Sequence, residues 1–245
     1  MSEFPLDGPP RARGSGPRLA WLFDVDGTLL LTDGASREAF AGAVAQHFGV
    51  EDDLRDIAFA GSTEPRILGD ILYKHGRRFA GGEEPRFWAT VFERMRALLH
   101  PERGRLLPGV PELLDAIEAE SGWVKGLLTG NMTGMAAIKL RRFHLAERFA
   151  FGTFGQEAEN RDALARLAVE RVRSAYGIPP SRCIVVGDTE HDIRCARFAG
   201  ARVVAVATGT RRREELAAYQ PDLLLDDLAE FNDLLGWARR IAAGE

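Results

Sequence analysis

Residues 19–30 read LAWLFDVDGTLL: an apolar run from Leu19 to Phe23, then Asp24-Val25-Asp26-Gly27-Thr28, closing on Leu29 and Leu30. A short continuous apolar run bounded by turn residues predicts a strand buried on both faces. Burying one carboxylate costs free energy, and burying two side by side costs more. Asp24 and Asp26 at the tip of such a strand therefore call for compensating partners. On a strand, residues two apart point the same way, which would aim both acids at one target.

Three further runs have the same character: WVKGLL (123–128), CIVV (183–186) and ARVVAV (201–206), with DLLL near Asp222 as a fifth. Helical periodicity fills the gaps between the last four, in PGVPELLDAIEAE before Trp123, TGMAAIKLRRF after the second run, RDALARLAVERVRSAYG before Cys183 and EHDIRCARFAG after Val186. Alternating strands and helices predict a doubly wound, Rossmann-like α/β fold with a parallel sheet and right-handed crossovers. The first strand breaks the rhythm. From Leu31 to about Leu106 no strand is legible, and helical patterns run through REAFAGAVAQHFG, STEPRILGDILYKHG and PRFWATVFERMRALL. The expected organisation is a tail at 1–17, an α/β core from 18–33 plus 107–245, and a helical insertion at 34–106.

A chain of 245 residues with 45% hydrophobic content is long enough to bury a full core. A net charge of -4 argues against nucleic acid or an anionic membrane surface as partner. Three of the 32 basic residues are lysine (Lys74, Lys125, Lys139), an arginine bias that reads as compositional. Cys183 and Cys195 make no disulfide framework and suit a reducing compartment. No apolar run approaches the ~20 residues of a membrane helix, and the N-terminus lacks a signal-peptide core. The expectation is a cytoplasmic protein with a disordered, Pro- and Gly-rich tail.

In open α/β sheets, ligands gather at the carboxyl ends of the strands. The first strand ends in Asp24, Asp26, Gly27 and Thr28; the second run ends in Thr129, Gly130 and Asn131; the third ends in Gly187, Asp188, Thr189 and then Asp192. Each group taken alone has an ordinary reading: a turn at Asp26-Gly27, a helix cap at Thr129, first-turn acids at Asp188 and Asp192. Taken together, the carboxylates would repel unless a hard cation joined them. An all-oxygen set without His or Cys favours Mg²⁺, which binds through a few carboxylates plus substrate phosphate.

DVDGT, a Thr closing the next core strand, and GDTEHD, in that order and with the helical insertion after strand one, resemble the haloacid dehalogenase-like (HAD) hydrolase superfamily. The resemblance runs from about residue 18 to the end and includes an α-helical cap of the C1 type. It implies Asp24 as nucleophile, forming an aspartyl phosphate, and Asp26 as general acid and base. It implies a metal site from the Asp24 carboxylate, the Asp26 carbonyl and Asp188, completed by Asp192, and Thr129 as a phosphoryl ligand. The family also needs a cation near the nucleophile. No Lys-Pro pair supplies it here, and Arg161, opening the helix before CIVV, is the best candidate. Gly130 and Asn131 are expected at the substrate, with Thr63 and Arg66 reaching down from cap loops beside Gly61 and Ser62.

Within the family, Asp26 favours phosphoryl transfer over dehalogenation, and the lysine-free FAGSTEPRIL disfavours a phosphonatase. The expected function is Mg²⁺-dependent hydrolysis of a small phosphorylated metabolite, phosphoglycolate phosphatase-like, in a monomer or homodimer. The alternatives are a phosphosugar mutase and a silent phosphate-binding protein that keeps the site. A receiver-type signalling module shares the strand-end acids but would be about half this length, without the insertion or GDTEHD.

Overall fold

A computed structural model describes residues 19–244; the expected N-terminal tail lies outside the described residues. The strands are β1 (Leu19–Phe23), β2 (Leu30–Leu31), β3 (Arg105–Leu106), β4 (Trp123–Leu128), β5 (Gly152–Thr153), β6 (Cys183–Gly187), β7 (Arg202–Val206) and β8 (Leu223–Leu225). The helices are α1 (Ala35–Phe48), α2 (Glu64–Lys74), α3 (Glu84–Leu98), α4 (Val110–Ala119), α5 (Thr133–Arg142), α6 (Arg161–Tyr176), α7 (Glu190–Phe198), α8 (Arg213–Ala217) and α9 (Asn232–Ala243).

Six strands form one sheet in the order β5-β4-β1-β6-β7-β8, and every neighbouring pair is parallel. β1 is central, with Phe23 opposite Leu127 of β4 on one side and Val186 of β6 on the other. Its apolar residues divide between the two faces as the pleat requires. Leu19, Trp21 and Phe23 pack with α4, α5 and α9, whereas Ala20 and Leu22 pack with α6 and α7. A parallel sheet covered on both sides explains why these strands read as unbroken apolar runs rather than alternating ones.

Helices α1 to α3 occupy the stretch between β2 and β3, which pair antiparallel through Leu30 with Leu106 and Leu31 with Arg105. This two-stranded ribbon marks where the chain leaves and re-enters the sheet layer. The three helices have their own apolar cluster, built on Phe40, Ile67, Ile71, Phe87, Trp88, Val91 and Met95, and Met135 of α5 joins it. Phe40 meets Trp88 edge-on at a centroid distance of 5.6 Å, a favourable aromatic geometry. The two-residue strands β2, β3 and β5 escape prediction because two residues cannot display a period. Both cysteines are buried and free, and no described helix is long and apolar enough to cross a membrane.

Candidate active site

β1 ends at Phe23, so Asp24 and Asp26 lie beyond the strand in a tight turn. The pleat therefore does not set their direction, contrary to the sequence expectation. The turn does: Leu29 and Leu30 N–H both return to Val25 O, and Gly27 N–H donates to Leu30 O at 2.9 Å. Gly27 has φ +81, in the left-handed region, and a Cβ there would collide with the Asp188 carboxylate. Only glycine meets both demands. Asp24 is anchored by its N–H to Val186 O, 3.0 Å away on the neighbouring strand.

Asp24, Asp188 and Asp192 are buried, and their carboxylates offer oxygens all within 4.8 Å of one another. Burial pushes the Asp24 pKa up to about 6; Arg161 opposes the rise, and Asp192 and Asp26 add to it. Asp188 is held well above the usual carboxylate range by burial, by Asp192 and by Asp24. Such a cluster is under-neutralised by its own residues.

Arg161, the first residue of α6, is the one cation among them. Its guanidinium hydrogen-bonds Asp192 Oδ1 and stands 3.2 Å from Asp24 Oδ2. Burial works against its charge, but Asp192 and Asp24 outweigh it and hold the group protonated. Its Nε is buried without a hydrogen-bond partner. Asn160 caps the same helix by accepting Ala163 N–H at 2.9 Å, so Arg161 is free of capping duties.

Asp192 has both roles that its position in the sequence allowed. Its Oδ2 accepts Thr189 N–H at 3.1 Å and the Thr189 hydroxyl at 2.7 Å, making the capping box of α7, while Oδ1 faces Arg161. With both oxygens engaged, Asp192 is better placed to hold Arg161 and the loop than to face a cation directly. Asp24 and Asp188, an all-oxygen pair just beyond the ends of adjacent strands, fit a hard divalent cation.

Thr129 follows β4, its N–H bonded to Thr153 O. It does not cap α5, whose N-cap is Met132. Its hydroxyl accepts from Asn131 N–H at 3.3 Å and Asn131 Nδ2 at 2.7 Å, leaving its own proton to donate into the cavity. Asn131 Nδ2 also donates to Asp26 Oδ2 at 2.8 Å.

A cavity of about 280 Å³ unites Asp24, Asp26, Thr129, Gly130, Asn131, Arg161 and Asp188 from the sheet edge with Arg37, Phe59 and Glu64 from the helical layer. Three expected residues are not part of its lining: Asp192, which stands behind Arg161, and two from the helical layer. Arg66 lies on the outer face of α2, its side chain 71% exposed and paired with Asp70 at 2.9 Å. The amphipathic phase of α2 turns it to solvent, while Ile67, Leu68 and Ile71 face inward. Thr63 is buried at the start of α2 and also lies outside the lining. His191 packs against Gly61 instead of entering the cavity.

Lining residues that escaped the sequence reading include Lys139, Glu64 and Arg37. Lys139, 1% exposed, donates to Asp26 Oδ2 at 2.6 Å and to Asn131 Oδ1 at 2.5 Å. Glu64 is buried and accepts Met132 N–H at 2.7 Å across the seam between the layers. Its pKa is pushed up to about 7 by burial, with Lys139 opposing. Arg37 of α1 donates to Leu54 O and to Ile57 O, and lies 4.5 Å over the Phe59 ring. The available signal was at Lys139, which falls three and four residues after Ala136 and Met135, on the buried face of α5.

Fold and site together define a HAD-like hydrolase. The family model described as HAD-hydrolase-like matches residues 162–231 of this chain. The chain is 24% identical over 222 residues to pyrophosphatase PpaX of Anoxybacillus flavithermus, covering 89% of this chain and 97% of that one. It is 31% identical over 153 residues to phosphoglycolate phosphatase of Salmonella paratyphi A, covering 62% of this chain and 59% of that one. CbbY of Rhodobacter sphaeroides, solved in complex with phosphate, superposes with a TM-score of 0.72 at 25% identity, covering 88% of this chain and 96% of that one.

Proposed function

We propose that the protein is a Mg²⁺-dependent phosphatase that hydrolyses a small phosphomonoester through an aspartyl phosphate on Asp24. The observation that carries this reading is the convergence on one cavity of Asp24, Asp26, Thr129 and Asp188, from the ends of three adjacent strands, with Arg161 from the start of α6. Relatives that include a phosphoglycolate phosphatase and a pyrophosphatase support phosphate as the reacting group. Core segments 18–33 and 107–245 would hold the chemistry, with helices of 34–106 as the cap over it.

Asp24 and Asp188, with the Asp26 carbonyl, would hold the cation, and Asp192 would support them from behind. When bound, Mg²⁺ would screen the phosphoryl oxygens and the carboxylates from each other, so that an anion can approach an anion. Asp24 forms a bond to phosphorus as the P–O bond to the leaving group breaks, and Asp26 gives its proton to the leaving oxygen. Water then attacks the phosphoryl group on Asp24, and Asp26 takes that water's proton as the Asp24–phosphorus bond breaks. Arg161 and the Thr129 hydroxyl hold the transferring oxygens, the arginine through its planar fork. Gly130 and Asn131 line the phosphoryl pocket.

The test is phosphate release from a panel of small phosphomonoesters and pyrophosphate, with Mg²⁺ or EDTA, in wild type and Asp24→Asn. Metal-dependent release that disappears in the variant is the expected result. Release that persists in Asp24→Asn overturns the assignment of the nucleophile. A cavity of this size suits a compact leaving group, and the mutase alternative predicts transfer to sugar phosphate in place of free phosphate.

A further inference from the structure

Buried lysines are rare because desolvating an ammonium is expensive unless it is paired. Lys139 is buried on a helix face otherwise made of Gly134, Met135, Ala136, Ala137 and Leu140. Its ammonium spends two of its three donors on Asp26 Oδ2 and Asn131 Oδ1. Asn131 in turn donates to the same Asp26 oxygen and to Thr129 Oγ1. The result is a closed triangle of Lys139, Asn131 and Asp26. It leaves Asp26 Oδ1 outside these bonds, on a side chain that is 41% exposed. Lys139 also lines the cavity, and its charge reaches Glu64 on the helical layer above.

From this geometry we propose that Lys139 is a positioning residue: it pins one Asp26 oxygen against Asn131 so that the other faces the leaving group and the attacking water. The proposal rests on the phosphatase reading above. Asp26 follows the strand in a turn, and the Lys139 and Asn131 bonds are what fix its carboxylate. Without the ammonium, Asp26 keeps one amide donor and gains rotamer freedom, which loosens the geometry that proton transfer needs. Asn131, bonded to both Asp26 and Thr129, extends the same constraint to the phosphoryl-binding hydroxyl.

An aryl phosphate separates this role from a structural one. Nitrophenolate is a good enough leaving group to depart without a proton, whereas water attack on the aspartyl phosphate still needs Asp26 as base. Lys139→Met keeps length and apolar bulk but removes the charge. In Lys139→Met, quenched-flow with p-nitrophenyl phosphate and Mg²⁺ is expected to give a rapid burst of about one nitrophenolate per site. Steady turnover then runs about 10- to 100-fold below wild type, short of the ~10²–10⁴ that losing an acid–base group costs. With a small alkyl phosphate the burst disappears as well, because both steps then need Asp26. Lys139→Arg, which retains a charged donor, should recover most of the turnover. In an Asp26→Asn background, Lys139→Met should cost nothing further, since the lysine acts through that carboxylate.

Unchanged turnover in Lys139→Met overturns the proposal. So does a parallel loss of burst rate, turnover and melting temperature, which would make the lysine a structural prop. An undiminished penalty in the Asp26→Asn background would assign it a direct substrate contact instead. If wild type itself releases no phosphate, the phosphatase reading fails first and this inference falls with it; active wild type with indifferent Lys139 variants defeats the inference alone.

Discussion

Asp188 concentrates the electrostatic problem of the site in one residue. It is buried, it faces Asp24 and Asp192, and its carboxyl is driven well above its ordinary range. An acid with a raised folded pKa costs stability as pH climbs above its unfolded value, because the folded protein must surrender a proton it prefers to keep. Metal-free protein should therefore lose melting temperature between about pH 4 and pH 7, the interval that includes the Asp24 value of about 6. Metal-free Asp188→Asn should melt higher than metal-free wild type at pH 7.5 while losing phosphatase activity. Mg²⁺ at 100 times its Kd should stabilise wild type by about 2.7 kcal/mol. The Asn variant should show little of that gain. A scanning-fluorimetry series with and without EDTA reads all three effects.

The seam between α2 and α5 is where an element, rather than a residue, controls the site. Glu64 opens α2 and docks on Met132 N–H, and its pKa of about 7 stands above the ordinary 4.5 because it is buried. Its carboxyl contributes most to stability when protonated, and that contribution falls as pH rises from about 4.5 through 7. The fall is on the order of 3 kcal/mol at one pKa unit per 1.36 kcal/mol. Glu64→Gln, which still accepts from Met132, should flatten this part of the stability-versus-pH curve measured by urea unfolding. Gly130 governs the same seam from below, since a Cβ there would run into the Ser62 carbonyl. Gly130→Ala should leave the circular dichroism spectrum intact and lower kcat/KM by about 10-fold or more, as expected when a closing layer is held about 1 Å out of place.

What the sequence revealed of these elements follows physical lines. β1, β4, β6 and β7 were legible because strands covered on both faces must be continuously apolar. β5 was not, because Gly152 and Thr153 form a strand only through their pairing with Leu127 and Leu128. The acids were legible because carboxylates after apolar runs are anomalous. Lys139 and Glu64 were missed because a lysine in a helix and an acid in its first turn are ordinary until their burial is known. Arg66 was misplaced because a positive charge near a site says nothing about which side of the helix it leaves from.

Over the whole molecule, the two layers divide the work. The sheet edge supplies the carboxylates, Thr129 and Arg161, while the helical layer closes the cavity with Arg37, Phe59 and Glu64. Discrimination among leaving groups should therefore change with the upper residues while the chemistry stays with the lower ones. Arg37→Ala is expected to raise KM for anionic substrates by about 10-fold, roughly the value of one charge-assisted contact, with a smaller change in kcat. A panel of phosphomonoesters with neutral and carboxylated leaving groups measures it.

β1 sits between β4 and β6, which begin about 100 and about 160 residues later in the chain. The strand that leads into Asp24 is thus made well before its partners and paired late. Until Cys183–Gly187 is synthesised, Asp24 has no Val186 carbonyl to anchor its N–H and no Asp188 beside it. A nascent chain that stops short of Asp188 lacks the site proposed above, and such long-range pairing makes folding slow and its intermediates prone to aggregate. Asp24 is made about 160 residues before the strand whose carbonyl anchors it, and its setting is complete only when the two have paired.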